Sequence, residues 1–223
     1  LNRPTLVLDL DGTLVDTAGD LIGALNAVLA TEKLTPIPFD QAVAMVGNGA
    51  RALLDLALRA NGLLPEPERL DNLVAEFIAH YSNRIADLSR PFPGAEEALD
   101  RFAAAGWLLA VCTNKFESLS RQLLARLELD KRFAVIAGQD TFGVRKPDPR
   151  HLLETIRAAG GRPERAVMVG DSDVDVATAR AANVPIVAVT FGYSPIPADK
   201  LGADRVIGHF NELCDVATAI VKA

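Results

Sequence analysis

One stretch limits the possible folds more than any other: Thr5 to Thr17, reading TLVLDLDGTLVDT. The strand formers Leu6, Val7 and Leu8 stop abruptly at Asp9, a second acid follows at Asp11, and Gly12-Thr13 turns the backbone. An apolar run without alternation suits a strand buried on both faces, as in a parallel sheet. Open α/β sheets gather their chemistry at the carboxyl ends of their strands, so both acids fall where such a sheet places a site. Carboxylates crowded there repel each other and need a cation or a shared proton. Ligands that are all oxygen favour magnesium over zinc.

The rest of the chain divides by its periodicity. Leu21, Ile22, Leu25, Val28 and Leu29 recur at helical spacing, as do Leu53, Leu54 and Ala57, and then Leu70, Leu73, Val74, Phe77, Ile78, Tyr81 and Ile85. Pro36, Pro38, Gly62, Pro65 and Pro67 cut this block into short antiparallel helices, and Pro91 to Gly94 closes it. Beyond it strands and helices alternate. Candidate strands are Trp107 to Cys112, Phe133 to Ala137, Ala166 to Val169, Pro185 to Thr190 and Arg205 to Ile207. The expected fold is α/β, a doubly wound and mainly parallel sheet, with a small helical domain inserted after the first strand. Its bounds are 16–90, leaving 1–15 and 91–223 as the core.

With 223 residues, 49% of them hydrophobic, the chain is long enough for a core and an accessory unit. A net charge of -6, without a basic face, excludes nucleic acid as a partner. No apolar run approaches the ~18 residues that span a bilayer, so no membrane partner is expected. The two cysteines, Cys112 and Cys214, lie far apart without metal-like spacing, which fits a reducing cytoplasm. The chain begins at Leu1 rather than Met, and no function is placed on Leu1.

Polar residues recur at the strand ends. Asp9 and Asp11 end the first, Thr113-Asn114-Lys115 follows the second, Arg145-Lys146-Pro147 lies between the third and fourth, and Gly170-Asp171-Ser172-Asp173-Val174-Asp175 ends the fourth. Acids, a hydroxyl and a lysine converging on one sheet edge are what phosphoryl transfer needs: a metal, donors for phosphate oxygens and a nucleophile.

DLDGT at 9–13, TN at 113–114, KP at 146–147 and GDSDVD at 170–175 together resemble the haloacid dehalogenase superfamily, in its phosphatase branch. The order of the motifs is the family's, and the helical block resembles its small helical cap. Val46 to Ala50 and Thr190 to Tyr193 are most similar to the bacterial phosphoglycolate phosphatases within it. The resemblance implies strand order 3-2-1-4-5, which sets Asp9 beside Asp171 at the topological switch point. It makes Asp9 the nucleophile that forms an aspartyl-phosphate. Asp11 becomes the general acid and base, protonated at the start. Thr113 and the Asn114 backbone then bind phosphoryl oxygens while Lys146 neutralises them. Magnesium (Mg2+) is held by Asp9, the carbonyl of Asp11 and Asp171, with Asp175 supporting Lys146 or the metal's waters.

The implied activity is magnesium-dependent hydrolysis of a small-molecule phosphate ester, 2-phosphoglycolate above others, by a monomer or homodimer. A sugar-phosphate or pyrophosphate phosphatase, a β-phosphoglucomutase-like enzyme and a non-catalytic binding protein on the same fold are the rivals. In the block, Gly47, Asn48, Gly49 and Arg51 either read the substrate's carboxylate or only separate two helices. Lys115 either touches substrate beyond the phosphate or is solvated. Asp16 either caps the helix beginning near Ala18 or shapes the cap hinge. Cys112 reads as packing, Asp173 as a first-turn acid, and His80, His151 and His209 carry no role.

Overall fold

The computed structural model describes residues 3–222, so Leu1 and the outer bounds expected at 1 and 223 lie outside it. The first apolar run forms β1 (Thr5–Leu8), every residue of which is buried. It lies at the centre of a sheet with β4 (Leu108–Cys112), β5 (Val135–Ala137), β6 (Ala166–Gly170), β7 (Ile186–Val189) and β8 (Arg205–Ile207). The order is β5-β4-β1-β6-β7-β8 and each pairing is parallel. In core-strand numbering that is the expected 3-2-1-4-5, with a sixth strand added at the edge. Register aligns Leu8 with both Val111 and Val169, so the residues beyond all three strands emerge at one edge.

Alternation within the buried strands feeds two cores. Leu6 and Leu8 join Leu109, Val111, Val167 and Val169 on one face, against α5 (Ala95–Ala104), α6 (Glu117–Arg126) and α9 (Leu213–Lys222). Val7, Ala110 and Met168 face the other way, against α7 (Pro149–Ala158) and α8 (Asp173–Ala181). Helices on both faces are what a parallel sheet requires. β4, β5 and β7 are shorter than the apolar runs that announced them, whereas β6 runs one residue further and β8 has the expected bounds. Trp107 packs edge-on against Phe102, 4.9 Å between centroids, and a 3-10 turn at Asp130–Arg132 delays β5.

Between β1 and α5 the helical block forms α1 (Ala18–Thr31), α2 (Phe39–Val43), α3 (Ala50–Ala60) and α4 (Pro67–Asn83). Pro67 opens α4 at its first turn, where a missing N–H costs nothing. The chain enters and leaves the block through a ribbon that the sequence did not announce. There β2 (Val15–Asp16) pairs antiparallel with β3 (Arg90–Pro91), Val15 opposite Pro91 and Asp16 opposite Arg90. Buried Asp20 binds the returning strand to α1, accepting from the N–H groups of Leu88 and Ser89 and from Ser89 Oγ at 2.6 Å. Among the described residues no helix is long and apolar enough to cross a membrane.

Candidate active site

Asp9 continues β1 and donates its N–H to the Val169 carbonyl at 2.9 Å, which fixes its backbone against β6. Its Oδ1 accepts from the Leu10 N–H at 2.7 Å and lies 2.8 Å from Lys146 Nζ. Lys146 also lies 2.7 Å from Asp175 Oδ1. Asp175 is itself locked by a capping box at the start of α8, where its Oδ2 accepts from the Ser172 N–H and hydroxyl. Asp171, just past β6, accepts from Thr13 Oγ1 at 2.9 Å and from the Tyr193 N–H at 2.7 Å. Gly12, at φ +80°, leaves room for these contacts. A Cβ there would stand 2.8 Å from the Tyr193 ring and 2.9 Å from Asp171 Oδ2.

Oxygens of Asp9, Asp171 and Asp175 all lie within 4.8 Å of one another, and the three residues are buried. Burial, then the charges of Asp175 and Asp171, push Asp9 up to about 8 against the pull of Lys146. Burial and Asp175 push Asp171 up to about 6. On Lys146 burial opposes the charge, but Asp175 and Asp9 outweigh it and hold its pKa above the usual lysine value. One ammonium among three buried carboxylates leaves negative charge uncompensated, so this all-oxygen donor set fits a divalent cation. With Asp175 engaged by Lys146 and Ser172, Asp9 and Asp171 are the side chains that would hold it.

Asn114 Nδ2 donates to the Lys146 carbonyl at 3.1 Å, tying the second strand end to the third. The Asn114 Oδ1 is buried and has no hydrogen-bond partner among the described residues, and Thr113 is buried beside it. Over them closes a cleft of about 40 Å³, roofed by Leu21, Val46, Gly47, Gly49, Ala50, Leu53, Phe77 and Tyr81 from the helical block. For scale, one water needs roughly 10–15 Å³.

The structure brings Gly47 and Gly49 to this cleft, the Gly47 carbonyl 3.4 Å from Asn114 Nδ2. It does not bring Asn48 or Arg51. Asn48 is exposed, and Arg51 pairs with Asp71 on the outside of the block. The correction follows from helical geometry. Ala50 and Leu53 face the cleft, and Arg51, one residue on from Ala50, is turned about 100° away from it. Lys115, for its part, is not solvated: it is buried, with Nζ 2.9 and 3.0 Å from the two Asp11 oxygens and 4.5 Å from the Tyr81 ring centroid. Burial opposes its charge, but Asp11 and Tyr81 outweigh that and hold it protonated. Asp11 also accepts from Thr17 Oγ1 at 2.7 Å.

Tyr193 is the residue that sequence reasoning under-used. Its backbone holds Asp171, while its hydroxyl donates to Asp16 at 2.6 Å and accepts from the N–H groups of Thr17 and Ala18. Asp16 thus stands at the entrance to the block, 3.4 Å from the Ala18 N–H. Cys112 is buried, and its thiol is pushed up to about 12 by burial, as suits packing.

The fold and these motifs define a class. The model of the haloacid dehalogenase-like hydrolases matches residues 6–189, and the chain belongs to that family of enzymes. Within it, the chain is 47% identical to a phosphoglycolate phosphatase of Mesorhizobium japonicum, over 100% of this chain and 99% of that protein. It is 50% identical to one of Caulobacter vibrioides, over 94% and 89%. A crystal structure titled as a predicted phosphoglycolate phosphatase from Haemophilus somnus 129pt superposes with a TM-score of 0.88 at 26% identity, covering 96% of this chain and 97% of that one.

Proposed function

We propose that the protein hydrolyses 2-phosphoglycolate to glycolate and phosphate, with magnesium as its cation, in the cytoplasm. The observation that carries the chemistry is the Asp9 carboxylate, pinned through Oδ1 by Leu10 and Lys146 beside Asp171. Pinning one oxygen leaves Oδ2, which has no hydrogen-bond donor among the described residues, to attack phosphorus. The attack forms the Asp9–phosphate bond and breaks the ester bond, so one difficult displacement becomes two easier ones. Asp11, once it has exchanged its ion pair with Lys115 for a proton, gives that proton to the departing glycolate oxygen, then takes one from the water that hydrolyses the acyl-phosphate. Thr113 and Asn114 donate to the phosphoryl oxygens, and Lys146 balances their charge while orienting Asp9. Magnesium, held by Asp9, the Asp11 carbonyl and Asp171, would neutralise the developing charge on the phosphoryl group.

Residues 16–90 act as a cap over a core of 1–15 and 91–223, and the cap excludes bulk water from the acyl-phosphate. The substrate reading is supported by the full-length relatives of that name. Two buried, unpaired cysteines suit a reducing compartment.

The test is phosphate release from 2-phosphoglycolate, pyrophosphate, glucose phosphates and an aryl phosphate, with and without magnesium. A magnesium-dependent preference for 2-phosphoglycolate is expected; equal slow turnover of all four removes the substrate. Asp9→Asn is expected to lower kcat by more than about 10⁴-fold with the fold retained, read as an unchanged circular-dichroism spectrum. Residual turnover near wild type would remove Asp9 as nucleophile.

A further inference from the structure

We propose that Lys115, with the Tyr81 hydroxyl beside it, recognises the substrate's carboxylate. The inference rests on the reading of the site as one for a phosphorylated small acid, and it names the group that selects that acid.

Position argues first. In a glycolate ester a single methylene separates the leaving oxygen from the carboxylate carbon. The leaving oxygen must reach Asp11, and Lys115 Nζ is within 3.0 Å of both Asp11 oxygens. A carboxylate one methylene beyond Asp11 therefore falls beside this ammonium. Lysine carries three N–H donors, so holding Asp11 does not exhaust it.

Charge argues second. Among the described residues lining the cleft, Lys115 is the one cation, since Arg51 is turned to Asp71 outside. Apart from the catalytic edge and Gly47 and Gly49, the walls nearby are apolar side chains such as Leu21, Leu53, Phe77 and Phe116. They give a neutral polar or second anionic group no hydrogen-bond partner. In so dry a cleft an ammonium–carboxylate contact is little screened.

An unsatisfied donor argues third. Tyr81, only 1% exposed, lines the cleft, and its buried hydroxyl has no hydrogen-bond acceptor among the described residues. Buried hydroxyls ordinarily find partners. Its ring packs under Lys115 and over Phe77, so the hydroxyl is held at the cleft wall where the ammonium is. A carboxylate accepting from both groups supplies the missing partner.

The experiment compares kcat/KM for 2-phosphoglycolate and for 2-hydroxyethyl phosphate, which has a neutral hydroxymethyl group where the acid has its carboxylate. Any effect of a Lys115 substitution on Asp11 acts on both esters and cancels in the ratio. In Lys115→Met the ratio is expected to fall at least about tenfold, chiefly through KM for 2-phosphoglycolate. Lys115→Arg, which restores the charge, is expected to recover part of it. Tyr81→Phe keeps the ring and its packing and is expected to lower the ratio about threefold. A wild type that prefers the acid while both Lys115→Met and Tyr81→Phe keep its ratio overturns the inference and leaves the substrate standing. A wild type without preference for the acid overturns the substrate reading itself, whatever the variants do.

Discussion

His151 is wholly buried in α7. Burial, then the nearby charge of Lys146, lowers its pKa from the usual 6.5 to about 4. A depressed folded value means the native state prefers the neutral ring. Its contribution is fully present above about pH 6.5 and is lost as pH falls through about 4. The shift corresponds to about 3 kcal/mol across that window. Chemical denaturation at several pH values should therefore show stability falling through it, and His151→Leu is expected to flatten the fall. An equally steep fall in the variant would assign the loss to other groups.

Some residues at this scale could not be read from the sequence. A lysine after a strand end looks solvated until a separate part of the chain is known to lie over it, and Tyr81, which does so, is 34 positions earlier than Lys115 by the numbering. Arg51 looked available because an arginine near a glycine turn suits an anion, yet one helical step turned it to Asp71. Asp9, Thr113, Lys146 and Asp171 were legible as a group, because four strand ends of one parallel sheet must share an edge.

Among the elements, the loop after β7 packs closely against the site. Gly192 lies so close to Asp171 that an added Cβ would stand 2.1 Å from the Asp171 Cβ. The alanine must displace either this loop or the carboxylate, and the neighbouring Tyr193 N–H, which orients Asp171, moves with it. Gly192→Ala is expected to weaken metal binding by about 10–100-fold, as loss of a partner behind a ligand does. Titration of activity with magnesium checks this, and an unchanged half-saturating concentration would show that the loop yields instead. The elements that sequence reading anticipated were those with long, regular apolar patterns. The β2–β3 ribbon offers two residues per strand, too few for any period, and its pairing joins positions far apart in the chain.

At the scale of the whole molecule, the buried carboxylates of Asp9, Asp171 and Asp175 repel one another, so stability is expected to depend on a bound cation. At a concentration one hundred times its dissociation constant, a ligand bound only by the native state adds about 2.7 kcal/mol. Melting curves with magnesium are expected to lie above those with a chelator, and Asp171→Asn is expected to abolish the difference. A shift that survives the substitution would put the cation elsewhere. The ribbon bears on the molecule as a whole as well. Since Val15 faces Pro91 and Asp16 faces Arg90, the chain departs for the helices and comes home at adjacent points. Topologically, everything between is a hairpin loop of unusual size. A loop whose ends already meet can be shortened, lengthened or exchanged at little entropic cost to the framework. In this architecture a different excursion between the same two paired positions would therefore roof the same strand-end carboxylates with a cleft of another shape, while Lys115, which follows β4, would stay behind with the charge it brings.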